Sequence, residues 1–170
     1  MMNRGARKAV YAFLLAMELG RGVAFATEFE PLGKAVAASL GTSKAFKKSF
    51  AFERKPLDVF YAKNAAGKAS KYAFVQKGIY EPNCTHTWIV GVDATSGKVD
   101  GVRVVEMSCP HAYPTKTESF LGQFKGKSFA DAAKLKDDIT PIAKATGSSN
   151  LAIEAVRKSL VAASKLKGKI

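Results

Sequence analysis

Residues 85–107 read as one long β-hairpin. Thr85–Asp93 (THTWIVGVD) and Val99–Met107 (VDGVRVVEM) are rich in β-branched and aromatic residues. Between them Ala94-Thr95-Ser96-Gly97-Lys98 is a turn, with Gly97 placed for a positive φ. Such a hairpin needs further strands and an apolar cover to be stable. The cover is in the same chain. Ser148–Leu166 (SSNLAIEAVRKSLVAASKL) carries Leu151, Ala155, Val156, Leu160 and Ala163 as one helical stripe, and Ser148 or Ser149 is placed to cap it. The fold class expected is therefore α+β: a small antiparallel sheet with two hairpins, packed on one face against helices that include a long C-terminal one.

The second hairpin lies upstream. Asp58–Ala62 (DVFYA) and Tyr72–Gln76 (YAFVQ) read as strands around the turn Asn64-Ala65-Ala66-Gly67, and Gly78–Asn83 as a connection. Residues 31–49 are Ala- and Lys-rich and read as one or two short helices broken at Gly41, with Pro56 closing the region. Short helical pieces are expected at Ser119–Gln123 and Phe129–Leu135.

Residues 1–26 resemble an export signal. Arg4, Arg7 and Lys8 precede a short apolar run at Ala9–Met17, and Ala24-Phe25-Ala26 supplies a small-x-small cleavage pattern. The run is too short to span a bilayer, and no other stretch approaches a membrane span. The expectation is a signal peptide at 1–26 and a single domain at 27–170 in the periplasm or otherwise exported. The whole chain has 27 Lys plus Arg against 14 Asp plus Glu, a net +13, and it stays strongly basic without the first 26 residues. A surface of that sign attracts acidic partners and phosphate-bearing cofactors. Two Cys and two His exclude a disulfide-dense scaffold or a zinc-finger array.

Lys144-Ala145-Thr146-Gly147-Ser148-Ser149-Asn150 precedes the last helix. Small residues leave backbone N–H groups accessible, three hydroxyls cluster there, and the positive end of the helix dipole favours an anion. A plain cap with redundant Ser residues has the same appearance.

Four pieces in chain order resemble one known family. They are the run DVFYAKNAAGKASKYAFVQKGIY, the hairpin VGVDATSGKVDGVRVV, the segment Phe120-Leu121-Gly122-Gln123-Phe124-Lys125-Gly126-Lys127, and Ala143–Asn150 (AKATGSSN). Together they are similar to the FMN-binding domain of the G subunit of the Rnf complex and the C subunit of the sodium-pumping NADH:quinone oxidoreductase. The likeness runs from about Asp58 to Val161. It implies FMN at Ala145, Thr146, Gly147, Ser148, Ser149 and Asn150, with Thr146 at the place of the family's threonine that carries flavin through a phosphoester. The family's Asp and Ser/Thr-Gly around that threonine correspond to Thr140, Ala143 and Lys144 here, with Asp137 and Asp138 out of register, so covalent attachment stays open. The resemblance implies an electron carrier working between an acidic redox protein or a membrane electron-transfer complex and another protein.

Cys84-Thr85-His86 begins one hairpin strand and Cys109-Pro110-His111 follows the other. Residues i and i+2 share a face of a strand, so each pair can aim both side chains one way, and a hairpin turning near Ser96 sets all four at the end away from the turn. Pairing Val90 with Val102 and Trp88 with Val104 buries a sensible stripe, but points Cys109 away from Cys84 unless a bulge intervenes. A one-residue slip aligns all four at the expense of placing Arg103 on the apolar face. Three readings stay open: a disulfide, a Cys₂His₂ site for Zn or Fe on Cys84, His86, Cys109 and His111, and unpaired thiols. Cys109-Pro110-His111 also stands near the family's flavin-contacting Thr-Pro-Gly-Leu-Gly, so a metal- or haem-binding domain that has lost flavin is the alternative function. No Walker loop, dinucleotide fingerprint or nucleophile elbow occurs, and no motif supports nucleic-acid binding.

Overall fold

The computed structural model describes residues 27–170. The export segment expected at 1–26 lies outside the described residues. Strands β1 (Thr27–Glu28), β2 (Phe46–Phe52), β3 (Lys55–Lys63), β4 (Ala69–Tyr80), β5 (Cys84–Asp93) and β6 (Val99–Met107) form one antiparallel sheet in the order β1-β6-β5-β4-β3-β2. Helices α1 (Leu32–Leu40), α2 (Glu118–Leu121), α3 (Leu135–Asp138) and α4 (Thr146–Leu166) complete the α+β fold.

Both expected hairpins form, and their turns work as the residue types dictate. Gly67 and Gly97 take φ of 74° and 72°. The Asn64 Oδ1 atom accepts from the Ala66 and Lys68 amides, and Asp93 Oδ1 accepts from the amides of Thr95 and Ser96. The register pairs Val90 with Val102 and Trp88 with Val104.

The helices cover both faces rather than one. Val59, Tyr72, Phe74, Trp88, Val90, Val92, Val102 and Val104 face α4, meeting Ala152, Val156 and Leu160. On the reverse face Ala62, Ala73, Ile89 and Val105 meet Ala35, Val36 and Leu40 of α1. Strands β3 to β6 thus carry apolar residues on both sides, which explains why the central runs read as nearly continuous. Full burial of a side chain such as Ile89 or Phe74 contributes roughly 2–3 kcal/mol.

The second half of the expected 31–49 helical region is a strand. Helix α1 ends at Gly41, whose φ of 69° lets its amide turn back to the Ala37 carbonyl. Beyond it, Phe46, Phe50 and Phe52 recur with the period of a strand. Phe46 stacks on Tyr61 and Phe50 meets Phe52 edge-on. A two-residue turn at Glu53 and Arg54, both at positive φ, joins β2 to β3. It lacks the Asn-Gly signature of such turns, and Pro56, expected to close the helical region, is a β3 residue. Gly78, Ile79 and Tyr80 likewise belong to β4, leaving only residues 81–83 as the connection to β5.

Candidate functional site

The start of α4 lies over the closed end of the β4–β5 hairpin, beside the Tyr80–Cys84 pair. Gly78 makes this approach possible: a Cβ there would sit 3.1 Å from the Trp88 ring and 3.5 Å from Leu151. Gly147 makes the neighbouring contact possible. The Tyr80 ring occupies the space above it, so a Cβ would fall 2.2–2.7 Å from three ring carbons. Tyr80 is half-exposed and forms one wall of a cleft of about 280 Å³ that is also lined by His111, Lys144, Ala145, Thr146, Gly147 and Ser148.

Four of the six candidate FMN residues, Ala145, Thr146, Gly147 and Ser148, therefore line one cleft. Thr146 is exposed, and Lys144 takes a left-handed φ of 65° just before the helix. Neither Ser caps α4, correcting the expectation. The helix begins at Thr146, its N-cap is Ala145, and no side chain caps it. The Ser149 hydroxyl is buried and points back, accepting from the Ile142 amide and donating to the Ala145 carbonyl. Asn150 lines a separate depression with Ala133, Lys136 and Glu154.

Ser148 is bound inward by His86. The His86 ring is buried and stacks on Trp88, with centroids 5.1 Å apart. Its Nδ1 lies 3.0 Å from the Cys84 carbonyl oxygen, which can only accept, so Nδ1 carries the proton. Nε2 then accepts from the Ser148 hydroxyl at 2.9 Å. Burial holds the His86 pKa below the ordinary imidazole value, against the opposing hydrogen bonds to the Cys84 and Gly78 backbone, and the nearby His111 lowers it further. His86 is thus a neutral strut between β5 and α4.

The bulge required to bring the cysteines together is present. Trp88 pairs with Val104 but Thr87 pairs with Glu106, so Val105 is extra. Beyond it His86 faces Met107, Ser108 hydrogen-bonds to Thr85, and Cys84 is disulfide-bonded to Cys109 with Cα atoms 5.5 Å apart. Of the three open readings of the cysteines, this is the first. Cys84 is buried and Cys109 half-buried. Among the described residues, the ligand atoms of Cys84, Cys109 and His111 lie within 4.8 Å of one another. His86 is not in that group. The four-residue metal set therefore separates into a three-residue cluster and a structural imidazole.

The signal that sequence reasoning missed is Tyr80. Its contact with Gly147 follows from β4 running past Gln76, which could be found only by extending the alternation Tyr72, Phe74, Gln76, Gly78, Tyr80 through a glycine.

No helix among the described residues is long and apolar enough to cross a membrane. No family model matches the chain, and no curated protein or solved structure matches it.

Proposed function

We propose that this protein is an exported electron carrier that binds FMN, with the flavin phosphate received at the start of α4. The observation that carries the reading is the uncapped first turn of a 21-residue helix opening into a cleft beside Lys144 and Thr146. The first amides of a helix have no intrahelical acceptor, and the dipole adds a partial positive charge. Lys144 adds a full one, and the Thr146 hydroxyl is exposed beside it. The donor chemistry fits a phosphate, although the hydroxyls of Ser148 and Ser149 are engaged elsewhere and only the backbone amide of Ser148 is left to serve. The cleft is at the small end of ligand sites, so it suits the phosphate and its linker, with the aromatic Tyr80 wall beside them.

FMN when bound would supply one- and two-electron transfer; the chain would hold the phosphate, exclude water with Tyr80 and present a basic surface that steers acidic redox partners. The test is flavin binding by the purified chain, followed by fluorescence quenching of added FMN. Binding weakened at least about tenfold by Lys144→Glu supports the site. With a flavin transferase co-expressed, an adduct lost in Thr146→Val would add covalent attachment. Absence of both binding and adduct rejects the reading.

A further inference from the structure

We propose that the Cys84–Cys109 pair is a redox gate for a metal site, in which the reduced cysteines and His111 hold one divalent cation of the zinc type. The observation is the cluster itself: one imidazole and two sulfurs with all ligand atoms within 4.8 Å. Tetrahedral zinc bound to two thiolates and an imidazole sets its ligand atoms about 3.5–3.8 Å apart. Side-chain rotations suffice to reach that spacing once the sulfurs separate, because the backbone positions are already held close. The bulge at Val105 fixes Cys109 opposite Cys84, and Ser108 Oγ accepts from the Thr85 amide at 2.7 Å and donates to the Asn83 carbonyl at 3.2 Å.

The three ligands differ in exposure in the way an accessible site needs. Cys84 is buried, Cys109 half-buried, and His111 exposed on the rim of the α4 cleft. Ions therefore reach the site from the His111 side, and three protein ligands leave a fourth position for water or an exogenous ligand, as in three-ligand zinc sites. His86 does not complete the set, since both of its nitrogens are engaged.

The chemistry closes in two steps. A dithiol reductant transfers two electrons and two protons to the disulfide, giving two Cys thiols and the reductant's own disulfide. The cation then displaces both thiol protons and binds two thiolates and neutral His111. A disulfide oxidant reverses the sequence: it takes two electrons from the two thiolates and two protons from water to become a dithiol, the Cys84–Cys109 bond re-forms, and the ion is released. Flavin takes part in neither step.

The experiment uses the full chain, reduced with a dithiol, freed of it by anaerobic gel filtration, and titrated with Co²⁺ and then Zn²⁺. Expected are one Co²⁺ per chain with a thiolate-to-cobalt charge-transfer band, displacement by Zn²⁺, and protection of both thiols until chelation. The air-oxidised chain should bind none. His111→Ala, at an exposed position, should weaken binding by more than the about 10- to 100-fold that loss of a group merely supporting a ligand brings, with the fold retained by circular dichroism. His86→Gln, if folded, should change affinity far less. The proposal is overturned if the reduced chain binds no stoichiometric cobalt, if the oxidised chain binds equally, if His111→Ala binds like the parent, or if His86→Gln weakens binding as strongly.

Discussion

Cys84 and Cys109 stand opposite one another, Cα atoms 5.5 Å apart, because β6 carries one more residue than β5 between their shared pairs with the rest of the hairpin. Without the extra Val105 the register of Val90 with Val102 would set Cys84 against Ser108 and turn Cys109 to the α1 face. The bulge thus converts a core register into a cross-link, joining residues 25 apart in sequence.

The first prediction follows from that link. A loop of this length, once closed, restricts the unfolded chain, and removing the bond should cost about 3 kcal/mol. Guanidinium unfolding of the Cys84→Ala/Cys109→Ala protein should show a lowered midpoint and a somewhat steeper slope, because the unlinked denatured chain is more expanded. Thiol titration of the denatured, unreduced parent should find no free thiol. An unchanged midpoint would mean that the hairpin end is held without the bond.

How far this arrangement was readable depends on the kind of signal. Side-chain period located β5, β6 and α4, because Val90, Val102, Val156 and Leu160 obey the geometry of the element that bears them. The same reasoning failed at Phe46–Phe52, where lysines between the phenylalanines imitate an amphipathic helix and the turn at Glu53-Arg54 has no glycine to mark it. It does locate α1, which ends at Gly41 as read, but not the face that α1 covers, where Ala35, Val36 and Leu40 meet Ala62, Ala73, Ile89 and Val105. The cysteine pairing was conditional on a bulge, and bulges follow from tertiary packing rather than from residue type. Ser148 looked like a cap because its partner, His86, is 62 residues away.

The second prediction concerns His86. Truncation to Ala removes a buried ring from its stack on Trp88 and leaves the Ser148 hydroxyl without its acceptor. Cavity and lost hydrogen bond together should cost about 3 kcal/mol. A Ser148→Ala change removes only the donor and should cost about 1 kcal/mol. If both variants unfold with the parent's midpoint, the strut between β5 and α4 has no energetic weight.

A third prediction uses Asp93, whose carboxylate accepts from the Ser96 amide and hydroxyl and from the Thr95 amide. The Ser96 amide is the largest cause that holds its pKa below the ordinary Asp value, outweighing desolvation. A pKa lowered by folding means that the unfolded chain binds the proton more readily. Its stabilisation is therefore complete above the unfolded pKa of about 3.9 and is lost as pH falls through the lower folded value. Asp93→Asn keeps an acceptor oxygen in the turn but cannot ionise. Its acid-unfolding curve should be flatter than the parent's below about pH 4; equal slopes would remove Asp93 from the acid response.

The last prediction separates packing from helix propensity at the mouth of the α4 cleft. Ala is intrinsically better than Gly in a helix interior, by up to about 1 kcal/mol, and less in a first turn. Gly147 lies in such a turn, so Gly147→Ala would be neutral or stabilising if nothing lay above it. Tyr80 does lie above it, and the new methyl would have to displace an aromatic ring whose carbons are as close as 2.2 Å to its position. The substitution should therefore destabilise the parent, by about 1–2 kcal/mol. In a Tyr80→Ala background the obstruction is gone, and the same substitution should become neutral or stabilising by a few tenths of a kcal/mol. Four unfolding curves complete the cycle, and the sign change is the informative result. If Gly147→Ala has the same effect with and without Tyr80, the ring does not pack on the helix start, and the cleft has a different wall from the one described.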